Sequence, residues 1–409
     1  MPGPDREGFG ARGIFLCFAA RYIVNLNMRI FVVFTPFLAV EFGIPLWRYP
    51  QALIATDAAA MMTSMLSLLF TGKSSPRATL VLSEVVGALA TAVLVGWAPP
   101  FLVFVCARFV FGASRAVLSA SVLAVIADCV PEERRGRAIG VVESSWWLAG
   151  LTLPLVGAAL NAGGNALSRV LAVLVAVQSG LAFATHMCLP AVVEVPTDYE
   201  PLMDGGDGHS GFRGSLGCSR DPQGLRLLAW QIVIPTSCYT VITVMTIWWN
   251  ESFGLGARGV GSAATLLAMG EILGSLANMA LTDRVGFRAA VVGATLVMLL
   301  SHVSLCVVNM VTATTSLLPV ALAANMAFQG AMEIAILAAM VWVTACSEGR
   351  GHSRLTFTLM CRGVNGLGKC LGTGMALPLY TQGGVMLNAA VAATLCTASL
   401  VFSLPAAKK

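Results

Sequence analysis

Eleven charged residues interrupt otherwise apolar sequence: Arg21, Arg29, Arg108, Arg115, Arg362 and Lys369 on the basic side, and Asp57, Glu84, Glu143, Glu271 and Glu333 on the acidic. A guanidinium presents a rigid fork of donors that matches a carboxylate or a phosphate, and a carboxyl shielded from water can carry a proton. The chemistry on offer is ionic recognition and proton carriage. Spacing groups these residues. Arg21, Asn25 and Arg29 recur every fourth residue, and Asn325, Gln329 and Glu333 do the same. Arg108, Gly112, Arg115 and Ser119 share a helical face, as do Arg362, Asn365, Lys369 and Thr373, and more mildly Thr236, Thr240 and Thr243.

Other chemistries find no support. The 11 cysteines are scattered without a C-x-x-C pair, and the four histidines (His186, His209, His302, His352) stand apart. Neither a metal site nor a disulfide framework is expected. No His/Asp/Cys grouping suggests an enzyme built into the membrane. "SLLFTGKS" (67–74) and "GVNGLGKC" (363–370) imitate a phosphate-binding loop, but one lacks the first glycine and the other ends in cysteine. Neither follows a strand, as that mechanism requires. No cofactor is expected, and no ATP hydrolysis.

The elements that must position these charges are read from composition. The chain has 409 residues, of which 57% are hydrophobic and 11% charged, with a mean hydropathy of +0.81. A soluble domain of this length lacks the interior to hide so much apolar surface. The net charge of +5 sits in short bursts between apolar runs, so no nucleic-acid partner is expected. The start, "MPGPDREGFGARG", has no cleavage signature and leads into a first spanning helix.

Apolar runs of spanning length place twelve helices. Helices 1 to 6 are expected over about 13–40, 51–70, 78–97, 101–126, 138–160 and 168–190. Helices 7 to 12 follow over about 228–251, 259–281, 287–309, 315–346, 354–377 and 384–404. This divides the chain into an N-terminal six-helix bundle (1–190), a Gly-, Asp- and Pro-rich cytoplasmic linker (191–226) and a C-terminal six-helix bundle (227–409). Sixteen of the 25 Lys and Arg fall on alternate loops, and only Arg48, Arg169 and Arg258 on the opposite ones. Such a bias orients the protein with both termini in the cytoplasm. Which membrane holds it stays open. Tyr199-Glu200-Pro201-Leu202 matches a tyrosine-based sorting pattern, and four residues recur by chance.

Sliding the sequence by 211 residues lays Phe42-Gly43 on Phe253-Gly254 and "TGKSSPR" (71–77) on "TDRVGFR" (282–288) without a gap. A match at the equivalent loop of two six-helix halves points to duplication, an architecture of many secondary transporters.

At these residues the chain resembles the major facilitator superfamily. The signature G-x-L-x-D-R-x-G-R-R between helices 8 and 9 is met at Leu281, Asp283, Arg284, Gly286 and Arg288, with departures at Met279 and Phe287. The copy between helices 2 and 3 keeps Lys73 and Arg77 but has Gly72 where the aspartate belongs. The stretch "DCVPEERRGRAIGVVESSWW" (128–147) is similar to the loop between helices 4 and 5 of bacterial-type drug and sugar efflux members, and Pro154-x-x-Gly157 partly matches an antiporter element. Arg108-x-x-x-Gly112 resembles the superfamily's arginine in helix 4. The resemblance implies an all-α membrane fold of two pseudo-symmetric six-helix bundles, with helices 1, 4, 7 and 10 enclosing a central cavity.

Facing lipid, each charge within a span would cost roughly 2.5–3.5 kcal/mol, and the eleven together about 30 kcal/mol. They must face one another or a wet cavity. Arg29, Arg115, Glu271, Glu333, Arg362 and Lys369 are therefore candidates for the solute path, with Glu143 a candidate proton carrier. The alternative is structural ion pairing, such as Glu143 with Arg115 or Arg108. Trp147, four residues after Glu143, either stacks on a ligand or fills space. Gly270-x-x-x-Gly274 and Gly368-x-x-x-Gly372 permit close helix approach. In the loops, Lys73, Arg77, Asp128, Arg134, Arg137, Asp283, Arg284, Arg288 and Glu348 are candidates for gating. Asp128 is expected to pair with Lys73 or Arg77, and Glu348 with Arg284 or Arg288, unless these are solvated charges that enforce orientation alone.

The expectation is a monomeric carrier in the bilayer, moving a small organic solute by alternating access and coupled to protons, with antiport or efflux favoured over uptake. The alternative is a non-transporting sensor or scaffold on a transporter fold.

Overall fold

The computed structural model describes residues 10–70, 75–130, 132–163, 165–189, 222–311, 317–347 and 354–403; a few side chains within helices, Asp128 and Asp283 among them, lie outside the description. Every regular element among the described residues is helical. Nine helices there are long and apolar enough to cross a membrane. The last, Met360–Ser403, is two, because Gly383 and Gly384 have non-helical backbone angles. With Tyr49–Phe70 and Pro76–Ala92 the count reaches the expected twelve.

Helix 1 is Gly10–Val33 continued by Thr35–Glu41, broken at Phe34 because Pro36 lacks the amide hydrogen the ladder needs. Helices 2, 3 and 4 are Tyr49–Phe70, Pro76–Ala92 and Phe101–Cys129. Helix 5 runs as three collinear pieces, Glu132–Glu143, Ser145–Leu151 and Leu153–Leu160, the second break falling just before Pro154. It starts inside the arginine-rich stretch, six residues earlier than expected at 138. Helices 6, 7, 8, 9 and 10 are Ala166–Cys188, Pro222–Phe253, Ala257–Val285, Phe287–Met310 and Leu318–Ser347. Helices 11 and 12 lie within Arg354–Ser403 on either side of Gly383-Gly384, so the break is narrower than the 378–383 gap expected. Of the 191–226 linker, 191–221 lies outside the described residues, and helix 7 begins at Pro222.

The same pairings recur in the two sets of six. Helices 2 and 4 pack together, as do 8 and 10; 3 with 4 is matched by 9 with 10, and 3 with 6 by 9 with 12. Helix 8 turns into helix 9 at Gly286, whose φ of 81° lies in the left-handed region that favours glycine. Gly270 and Gly274 lie against the backbone of Met326 and Gly330, and Gly368 against Ile232, so both small-residue motifs serve helix packing.

Large apolar side chains such as Leu102, Leu155 (each 73% exposed) and Leu300 (65%) point outward. Water would penalise that surface; acyl chains accept it. Polar groups turn inward. Arg108 and Asn27 are buried, with Arg108 Nη1 donating to Asn27 Oδ1 (3.0 Å) and Asn27 Nδ2 to Thr91 Oγ1 (3.0 Å). The Arg108 guanidinium lies over the rings of Phe31 (3.9 Å) and Phe111 (4.5 Å).

Call the face where helix 1 begins proximal and the opposite face distal. The two sets of six meet along helices 2 and 11 and along 5 and 8. On the distal side the approach of 5 and 8 is closest: a Cβ on Gly261 would fall 2.7 Å from the Leu153 carbonyl oxygen, and one on Gly157 would strike the Ala257 carbonyl. Helices 4 and 5 make no more than isolated contacts with 10 and 11 among the described residues. Backbone approach is thus closest on the distal side, while toward the proximal side helices 2 and 11 meet through side chains, with a Cβ on Gly366 falling 2.9 Å from Met61 Cβ.

Candidate functional site

The seam between the two sets of helices carries the charges. Arg29, buried at mid-depth on helix 1, pairs with Glu271 of helix 8, also buried, so one ion pair spans both sets. Trp146 of helix 5 caps it, with the guanidinium 4.2 Å from the ring centroid. A Cβ on Gly150 would come within 3.1 Å of Arg29 Nη1, so glycine is what admits the guanidinium there. Arg29 Nε has no partner among the described residues, a donor still on offer. One turn along helix 8, Ser275 Oγ donates to Glu333 of helix 10 (3.2 Å).

Two turns before Arg29, Arg21 grips Glu143 of helix 5 through both nitrogens of its fork, each at 2.8 Å. Between them Asn25 Nδ2 donates to Ser145 Oγ (3.1 Å). The expected stripe Arg21, Asn25, Arg29 thus meets helix 5 residue by residue. Glu143 finds Arg21, which corrects the alternative pairing with Arg115 or Arg108. Arg115 instead faces Asp57 of helix 2 at 3.8 Å. Lys369 Nζ lies 5.3 Å from the Tyr239 ring, and Asn365 Nδ2 donates to Gln231 Oε1 (3.0 Å). Arg362 is exposed on helix 11. Arg21 interacts electrostatically with Glu143, Arg362 and Arg115, and Glu333 with Glu271, Arg29 and Glu143. Helices 1, 2, 4, 5, 8, 10 and 11 therefore direct their charges toward one region.

The indole over the Arg29 guanidinium is that of Trp146. The hydroxyls of Thr236, Thr240 and Thr243 donate to carbonyls four residues back on helix 7, each at 2.7 Å, so that stripe is largely satisfied within its own helix. Asn325 and Gln329 of helix 10 remain open: both are buried, and neither side-chain atom of Asn325 has a partner among the described residues.

The loop candidates are dispersed. Arg134, Arg137 and Arg284 are exposed. Arg77 donates to the His186 carbonyl at the end of helix 6, and Arg288 to Gln223 Oε1 (3.2 Å) at the start of helix 7. Lys73 and Glu348, with the side chains of Asp128 and Asp283, lie outside the described residues, so the expected pairings of Asp128 and Glu348 do too.

Sequence reasoning passed over Arg21 and Asp57 as site residues. Arg21 had a signal, its place on the Arg29 stripe. Asp57 had only its isolation in an apolar run.

A polytopic helical bundle of paired halves, with opposed charges buried where they meet, defines a membrane transporter of the alternating-access class. Residues 13–341 match the family model described as Major Facilitator Superfamily, and the chain belongs to that family. It is a multi-pass transporter of a small-molecule substrate, not an enzyme. Similar solved structures show the same fold. A bacterial homolog of the human lysosomal transporter Spinster, inward-facing and unoccupied, has a TM-score of 0.66 at 16% identity, over 98% of this chain and 95% of that one. The human organic anion transporter MFSD10 (TETRAN) has 0.69 at 13%, over 98% and 100%. The nucleoside transporter NupG, as a D323A mutant, has 0.71 at 12%, over 95% and 97%. No curated protein sequence matches the chain.

Proposed function

We propose that the protein is a proton-coupled antiporter that exports a small anionic or zwitterionic organic solute. The observation that carries this reading is the Arg29–Glu271 pair across the two sets of helices, with Glu333 close by. An anionic solute group competes with Glu271 for the Arg29 fork. Glu271, once displaced, takes a proton or turns to another partner, and the tie between the halves loosens. Binding is thereby linked to rocking, and solute occupancy to protonation. Glu143 and Glu333 are the further carboxyls through which protons pass, and Arg115, Arg362 and Lys369 extend the basic lining. Residues 1–190 and 227–409 move as bundles joined by the 191–226 linker. With both termini cytoplasmic, as loop charge favours, the proximal face is the cytoplasmic one and the distal side, where backbone approach is closest, faces outward.

Proteoliposomes loaded with a pH-sensitive dye test this. A panel of small carboxylates, phosphates and amino acids is added outside under an imposed pH gradient. At least one solute is expected to discharge the gradient, and Glu333→Gln to abolish that discharge while solute exchange without a gradient persists. A panel in which no solute alters the lumenal pH, or a Glu333→Gln protein as active as wild type, overturns the reading.

A further inference from the structure

Glu84 lies off the seam and takes no part in the reading above. It sits mid-way along helix 3, fully buried, and neither of its oxygens has a hydrogen-bond partner among the described residues. The Thr185 hydroxyl of helix 6 is near enough to interact with it, without the alignment of an ordinary hydrogen bond. Thr185 and Gln178 lie two turns apart on helix 6, are buried, and are likewise unpartnered. Gly87, one turn along helix 3 from Glu84, admits the Gln178 amide: a Cβ there would fall 2.6 Å from Gln178 Nε2 and 3.0 Å from Ser114 Oγ of helix 4.

Among the described residues no basic side chain pairs with Glu84. Cys17 of helix 1 interacts electrostatically with Cys129 of helix 4 and with Glu84. His186 of helix 6 lines a groove of about 410 Å³ on the outer side of helices 3 and 6, and Arg77, two turns back on helix 3, is engaged by the His186 carbonyl. An ionised carboxylate so placed costs several kcal/mol unless a counter-charge joins it. A carboxylate, an amide oxygen and hydroxyls are the donors a hard cation takes.

We propose that Glu84 and Thr185 form the centre of a buried small-cation site between helices 3 and 6, bordered by Gln178, filled by H⁺ or Na⁺ and separate from the solute path. The cation neutralises Glu84 and ties the two outer helices of the first set together.

The full-length protein, purified in detergent, is unfolded thermally between pH 5.5 and 9 in sodium or choline chloride. Sodium that raises the wild-type Tm by about 3 °C or more, with no rise in Glu84→Gln, identifies Na⁺. Acidification that does so regardless of sodium, and less in Glu84→Gln, identifies H⁺. Equal responses of wild type and Glu84→Gln overturn the site. A second measurement needs no variant. Dicyclohexylcarbodiimide adds across its C=N bond the O–H of a protonated carboxyl, which passes to a stable N-acylurea detectable by mass spectrometry. Labelling at Glu84 that falls with rising pH or added sodium supports the site; labelling that is absent, or indifferent to both, overturns it.

Discussion

Side chains of Arg29 and Glu271 are 9% and 3% exposed, whereas Glu143 beside Arg21 is 44% exposed. Removing one partner of a buried pair strands a charge and costs about 3–5 kcal/mol, while a pair open to water contributes about 1 kcal/mol or less. Arg29→Ala is therefore expected to lower stability by several kcal/mol, and Arg21→Ala by about 1 kcal/mol, read from denaturation in detergent. The double variant Arg29→Gln with Glu271→Gln should recover most of the loss, because no bare charge remains. Equal losses from Arg29→Ala and Arg21→Ala would contradict this ranking by depth. The helix 1 face was legible beforehand, since four-residue spacing fixes which side chains share a side. Its partners were not. Spacing within one helix says nothing of how its neighbour is rotated, so Glu143 was matched with Arg115 or Arg108 rather than with Arg21.

Helices were the most legible elements, because a run of about 20 apolar residues has one stable form in a bilayer. Their ends were less so. Helix 5 extends back through Glu132 because charged residues are good helix formers, and hydropathy alone is blind to that. Glycine contacts separate two kinds of interface. Gly112 packs against the Thr56 carbonyl between helices 4 and 2 of one set, while Gly261 and Gly157 sit between helices 8 and 5 of different sets. Gly112→Ala overfills an interface within a set and should cost about 1–3 kcal/mol, seen as a lower unfolding midpoint. Gly261→Leu overfills one that the transport cycle itself must open. It should leave the midpoint closer to wild type and alter the conformation instead. A Gly261→Leu protein that only loses stability would show that helices 5 and 8 never separate there.

At the scale of the molecule, that second outcome becomes a distance. Backbone approach between the halves is closest on the distal side; at the proximal ends helices 4 and 5 make only isolated contacts with 10 and 11, and helices 2 and 11 meet through Met61 and Met65. If they rock about the Arg29–Glu271 level, a wedge on the distal side must bring the proximal ends together. Arg134 near the start of helix 5 and Arg284 near the end of helix 8 are both exposed at that proximal side, so spin labels can replace them without disturbing the core. In a background freed of the native cysteines, the pair Arg134→Cys and Arg284→Cys should report a long separation in wild type by pulsed electron resonance. Adding Gly261→Leu should build up a shorter one. Glu271→Gln, which unties the halves without wedging them, should populate both, since a latch sets the balance between states and a wedge excludes one of them. A single unchanged distance in all three proteins would mean that the two sets of helices are locked, and would leave the buried charges as scaffold alone.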